Sequence, residues 1–169
     1  MSNSSEIPIP KLSPTLNHPS PQTLQEITDP IYRAVLAYDT QDETLLESAL
    51  TQDAKFHLNP LGITIQGLEE AKIKSFRHVS KLITTHFLSN VRVNVHDEGD
   101  QGKAKLTCSA LAQHIRPGKE FQVSHEDKYT TGGLYFCDLV KVDVDGLWKI
   151  KDWEARILWT EGNRKVITG

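Results

Sequence analysis

Beyond residue 90 the chain alternates. Apolar side chains fall on every second position, a period that suits half-buried strands and suits helices poorly. Val91, Val93 and Val95 alternate with Arg92 and Asn94. Leu106, Cys108, Ala110, Ala112 and His114 share one parity of a second strand, which Arg116-Pro117-Gly118 breaks. The Asp97–Gly102 stretch predicts a hairpin turn between the two. Tyr129 to Asp143 predicts a long third strand, Asp145-Gly146 a tight turn, and Leu147 to Trp159 a last strand. Strands linked in this way fold as an antiparallel meander.

The first half reads differently. Ser20 followed by Pro21 is a helix start. Leu24, Ile27, Ile31, Val35 and Tyr38 then recur at three- and four-residue spacings, one apolar helix stripe. Pro30 lies inside it and predicts a kink or a second start. Thr40 to Glu43 has the form of a capping box for a second helix carrying Leu45, Leu46, Ala49 and Leu50. Lys55–Asn59 and Gly62–Gln66 read as two short strands joined at Pro60-Leu61-Gly62. Leu68 to about Ile83 reads as a third helix, with Leu68, Ala71, Phe76, Val79 and Leu82 on its core face. Helices first and meander second predict an α+β fold in which one curved sheet wraps over helices.

At 169 residues the chain has the length of one domain with a real core. Residues 1–20, rich in Ser, Pro and Asn, predict a flexible tail whose Ile7, Ile9 and Leu12 could lie against a neighbouring subunit. Residues 21–163 form the predicted domain, and 164–169 a short C-terminal tail. The formal net charge of −3, with signs mixed and no long basic run, argues against nucleic-acid binding. No stretch reaches the roughly 20 apolar residues of a membrane span. The start lacks the charged and apolar regions of a secretory signal, so the expectation is a soluble, cytoplasmic protein. Cys108 and Cys137 lie in strand-like segments and read as buried thiols.

Seven histidines are present. His18, His78, His96 and His125 fall in polar surroundings. His57, His86 and His114 fall in strands that should line the interior. His114 shares the parity of Leu106 and Cys108, so its imidazole needs a partner or a polar cavity. A core histidine bonded to a backbone carbonyl satisfies the same pattern. Asp39 follows Ile31 and Val35 at four-residue steps, so it extends the core stripe of the first helix. A histidine is a natural partner for such a carboxylate. A cap at the junction before Thr40 is the other reading. His86 is ambiguous: strict alternation from Val91 sends it outward, and a bulge around Ser89-Asn90 would bring it in. No zinc motif, phosphate-binding loop, dinucleotide fingerprint or nucleophile elbow is present, which leaves side-chain acid–base chemistry and no expected metal or cofactor.

Ala37-Tyr38-Asp39-Thr40-Gln41-Asp42, Thr85-His86-Phe87, Ala112-Gln113-His114, Asp145-Gly146-Leu147-Trp148-Lys149 and Trp159-Thr160-Glu161-Gly162-Asn163 occur in that order. Together they resemble the SnoaL-like group of the nuclear-transport-factor-2-like superfamily, and most of all scytalone dehydratase and related fungal polyketide enzymes. The resemblance implies a cone of three N-terminal helices packed on a strongly curved antiparallel sheet, with a pocket between them. It implies that His86 enters the pocket and that Asp39, His86 and His114 are catalytic. One histidine would remove a proton beside a carbonyl. A histidine, the same or the other, would protonate the departing hydroxyl, and Asp39 would hold an imidazole in place. Tyr38, Tyr135 and Cys137 match pocket-facing positions, and Trp153 and Arg156 would shape the floor. Leu58 stands where the relatives carry a tyrosine that polarises the substrate carbonyl; His57 or Asn59 could replace it only with a register shift. The implied activity is a dehydratase, or an isomerase or cyclase, on a small polyketide-like or phenolic ketone of secondary metabolism. The implied assembly is a homo-oligomer, a dimer or a trimer, formed through the outer sheet face. The competing reading is a non-catalytic binding or oligomerisation module.

Overall fold

The computed structural model of the chain describes residues 9–16, 19–59, 61–95 and 102–169. Helix α1 (Pro21–Thr40) runs unbroken through Pro30, capped by the Ser20 hydroxyl on the Thr23 N–H. Pro30 is itself buried, and the helix makes no second start there. Ile27, Ile31, Ala34, Val35, Ala37 and Tyr38 face the core, whereas Leu24 stays at the surface. Gln41 closes the helix in the left-handed region, at φ 59°. Helix α2 (Glu43–Ala49) is capped by Asp42, whose carboxylate accepts the Leu45 N–H at 2.9 Å, and not by the Thr40 box. The Thr40 hydroxyl bonds back to the Leu36 carbonyl instead. The third helical segment is shorter than predicted and not uniform. It passes from α3 (Leu68–Ala71) through a π-helical stretch (Lys72–Phe76) into α4 (Arg77–Val79).

Six strands make one sheet: β1 (Leu50–Asn59), β2 (Ile63–Gln66), β3 (Ile83–Val95), β4 (Lys103–Ile115), β5 (Lys128–Lys141) and β6 (Trp148–Gly162), in the order β2-β1-β6-β5-β4-β3. The β3-β4-β5-β6 run is the expected meander, and β1–β2 is antiparallel. β1 pairs with β6 in parallel, so the sheet is mixed and not wholly antiparallel. The expected Asp97–Gly102 turn lies outside the described residues except for Gly102. Trp148, Ile150, Trp153, Cys137, Leu139, Leu106 and Val93 form the sheet side of a core whose helix side is Ile27, Ile31 and Leu46. Both cysteines are buried free thiols, as expected.

The two terminal segments differ from the sequence reading. Residues 10–16 lie along the chain's own sheet, where the Arg92 guanidinium donates to the Ser13 carbonyl at 2.9 Å. Ile7 is outside the described residues. Residues 164–169 are not a free tail. They contain a helical turn, α5 (Lys165–Thr168), with Val166 buried.

Candidate active site

Three bonds lock the end of α1 to the start of β3, all on one carboxylate. Asp39 Oδ1 accepts from the Thr84 hydroxyl and meets His86 Nδ1, each at 2.7 Å; Oδ2 accepts the His86 backbone N–H at 2.9 Å. Burial alone would raise the Asp39 pKa. The bonds from His86 and Thr84 outweigh it and hold the carboxyl below its usual range. Because Nδ1 is fixed on the carboxylate, the other ring nitrogen of His86 is the one left to meet a substrate.

His86 reaches this place through a bulge. β3 and β4 stay in register from Ile83 to Ser89, shift before Arg92, and Asn90 takes φ 53°. Thr84, His86 and Leu88 therefore share the inward face with Val91, Val93 and Val95 beyond the bulge. This is the alternative that strict alternation left open.

His114 is 6% exposed and stands edge-on to His86, with ring centroids 5.9 Å apart. Its Nδ1 lies 3.2 Å from the Tyr129 carbonyl. A carbonyl only accepts, so Nδ1 carries the hydrogen and Nε2 keeps its lone pair while the ring is neutral. Burial, with the nearby His86 second, lowers the His114 pKa to about 4. The ring is neutral at physiological pH.

Both rings line a cavity of about 160 Å³ between the sheet and the helices. Tyr38 closes one side, its hydroxyl 2.8 Å from that of Ser75 on the π-helical stretch. Leu58, Tyr135 and Trp153 also line it, and Tyr135 stands edge-on to Trp153 at 5.2 Å. Asp39 sits behind His86.

Four residues expected to contact substrate do not present a polar group to this cavity. His57 and Asn59 point to the opposite face of β1. His57 Nδ1 is 3.0 Å from the Thr64 hydroxyl, and Asn59 donates to Glu154 at 3.0 Å. From Lys55 to Asn59 the strand keeps its register, so parity puts Phe56 and Leu58 inward and their neighbours outward. Arg156 is among the lining residues, but its guanidinium bonds Glu154 at 2.9 Å through Nε and lies over Phe136. Cys137 is 2% exposed, deeper in the core than the cavity.

Other wall residues escaped the sequence reading. Phe56, Thr131 and Gly133 share parity with Leu58 and Tyr135 and were legible in principle. Ile167 was not. It belongs to α5, and its carbonyl is bonded by His78 Nε2. Among the described residues no three His, Cys, Asp or Glu side chains gather as a metal-ligand set, and no helix is long and apolar enough to cross a membrane.

Comparison with known proteins places the domain in a family and the fold among solved structures. The model of the SnoaL-like domain family matches residues 22–154. A protein of Penicillium crustosum described as terrestric acid biosynthesis cluster protein E is 43% identical over 140 residues, covering 83% of this chain and 86% of that one. Among solved structures, a candidate scytalone dehydratase from Novosphingobium aromaticivorans superposes with a TM-score of 0.68 at 23% identity, over 84% of this chain and 92% of the other. A type 2 hexachlorocyclohexane dehydrochlorinase superposes with the same score of 0.68 at 17% identity, over 83% and 88%. At these identities the solved structures establish the fold.

Proposed function

The chain belongs to the SnoaL-like domain family, and on that footing we propose that it is an acid–base lyase or isomerase of secondary metabolism. Its substrate is a small, uncharged polyketide-like or phenolic ketone. The observation that carries this reading is the partly buried Asp39–His86 pair, 2.7 Å apart, whose imidazole lines a cavity. A carboxylate on one imidazole nitrogen is the arrangement that orients a general base. The Penicillium relative, described as part of a biosynthesis cluster, supports a role in secondary metabolism. Two of the structural neighbours are described by eliminations, one of water and one of hydrogen chloride, which supports a lyase.

The geometry divides the work. His86 takes the proton beside the carbonyl through the nitrogen that Asp39 leaves free, giving an enolate and an imidazolium. In a dehydration the enolate expels the β-hydroxyl, and the imidazolium returns the same proton to it, so water leaves. Neutral His114 offers a lone pair at Nε2 and accepts a hydrogen bond from the substrate hydroxyl. In an isomerisation the proton returns to a different carbon of the same skeleton. The substrate is uncharged because Arg156, the cation among the lining residues, already engages Glu154. The cavity, at about 160 Å³, is smaller than the usual range for drug-sized ligands and suits a single ring.

The test is turnover of cyclic β-hydroxy ketones by the wild type and by Asp39→Asn, His86→Ala and His114→Ala. The expected result is a loss of about 10²-fold or more in kcat/KM for the first two variants. Variants that match the wild type would move the chemistry to another site. Purified protein with no turnover of any such ketone would favour the binding module.

A further inference from the structure

A base that removes a proton beside a carbonyl needs a partner at the other end of the substrate, where negative charge collects on the oxygen. The relatives' first-strand tyrosine is Leu58 here, which has nothing to donate. Tyr38 is engaged with Ser75 at 2.8 Å. Trp153 Nε1 has no partner, but it is sealed within protein and out of reach of a ligand.

Tyr135 is different. Its ring lines the cavity and is held by Trp153, which packs in turn on Phe56 at 4.8 Å. Its hydroxyl has no protein partner among the described residues. Tyr135 pairs with Cys108 of β4, while His86 pairs with Ala112, which pairs with Thr131 of β5. Tyr135 and His86 are thus two strands apart and four residues apart along the strands. That places their backbones roughly 10 Å across and roughly 13 Å along the sheet. Both side chains line the same cavity from different strands. Gly133, on the same strand, also lines the cavity beside Tyr135.

We propose that the Tyr135 hydroxyl is the catalytic hydrogen-bond donor that receives the substrate's carbonyl oxygen and stabilises the enolate formed when His86 takes the proton. This rests on the acid–base reading above. No proton is transferred from Tyr135: its O–H donates a hydrogen bond that shortens as charge builds on the oxygen. Burial pushes the phenol well above its ordinary pKa, so it stays protonated throughout the working range. Thr131 is the rival donor, another lining hydroxyl, closer to His114 along the sheet.

The assignment can be read without knowing the substrate. 4-Nitrophenolate is a planar ring with an oxyanion, and nitrobenzene is the same ring without it. Calorimetric titration of both into wild type, Tyr135→Phe and Thr131→Val isolates the donor. The expected result is that Tyr135→Phe weakens 4-nitrophenolate by about tenfold or more, leaves nitrobenzene unchanged, and Thr131→Val does neither. For any ketone the enzyme turns over, Tyr135→Phe should lower kcat by about 10²-fold with little change in KM. The proposal is overturned if Tyr135→Phe binds the phenolate like wild type, if Thr131→Val carries the loss, or if the wild type does not bind the phenolate. Failure of the acid–base reading looks different: phenolate binding would depend on Tyr135 while Asp39→Asn and His86→Ala kept full turnover.

Discussion

His114 shows how a single buried residue ties the site to the stability of the fold. Its pKa of about 4 lies below the ordinary histidine value of 6.5 because burial penalises the charged ring. Between these two values the unfolded chain binds a proton that the folded chain does not. Stability therefore falls as pH is lowered from about 6.5 towards 4, by up to ~3 kcal/mol from this residue, and is fully present above that window. Asp39 works at lower pH, because its carboxyl is held below the usual carboxylate range. The stability it contributes is lost as pH falls below that range. The expected outcome is that His114→Gln, which cannot be protonated, flattens the loss of stability between pH 7 and pH 4.5, as measured by urea unfolding. An equal slope in both proteins would mean that the ring is not desolvated as described. The inward position of His114 was legible from its strand parity, and that of Asp39 from the helix stripe. Their partners were not. The Tyr129 carbonyl comes from the neighbouring strand, and the Thr84 hydroxyl from across the core. Such pairings depend on how the sheet closes over α1, which no local period encodes.

At the scale of elements, the two-residue period located β4 to β6 to within a few residues, because a buried face fixes register strongly, but in β3 it reached only the five residues beyond the bulge. Local signals failed where a distant element decides. The parallel β1–β6 pair joins segments about a hundred residues apart. The π-helical stretch turns Lys72, Ser75 and Phe76 inward together, a pattern no regular helix period announces. α5 is a single turn, too short to leave a period. The β5–β6 pair carries a second irregularity that shapes the cavity. Its register shifts between Gly132 and Gly133, and Gly133 then packs so closely that a Cβ would lie 2.1 Å from the Arg156 carbonyl oxygen. That oxygen is backbone and cannot swing away, so a methyl group there forces the two strands apart. Gly133→Ala is expected to destabilise the fold by about 3 kcal/mol in denaturant unfolding. A change within ~0.5 kcal/mol would show that the two strands are not in this close contact.

The whole molecule presents a sheet whose inner face is the core and the cavity, which leaves its outer face to be accounted for. Leu134, Phe136 and Val140 lie there, as the parity of Tyr135, Cys137 and Leu139 requires. The chain's own residues 10–16 stand over part of this face, with a space of about 430 Å³ between them and the sheet. Charge is divided across it: Arg92 and Lys105 towards the β3 edge, Asp138, Asp152 and Glu154 on β5 and β6. A surface with an apolar centre and opposite charges on its two sides is self-complementary about a two-fold axis, since each half meets the other's opposite. A second copy is accordingly the occupant expected over Phe136. Light scattering after size exclusion should give a mass of at least twice the 19.0 kDa of one chain. Phe136→Asp would place two carboxylates at the centre of the contact, next to Glu154, and should shift the population to the single-chain mass. Because Phe136 points away from the cavity, that variant should keep the phenolate affinity of the wild type. A wild-type protein of single-chain mass at micromolar concentration would leave residues 10–16 as the cover of this face and reject pairing through it.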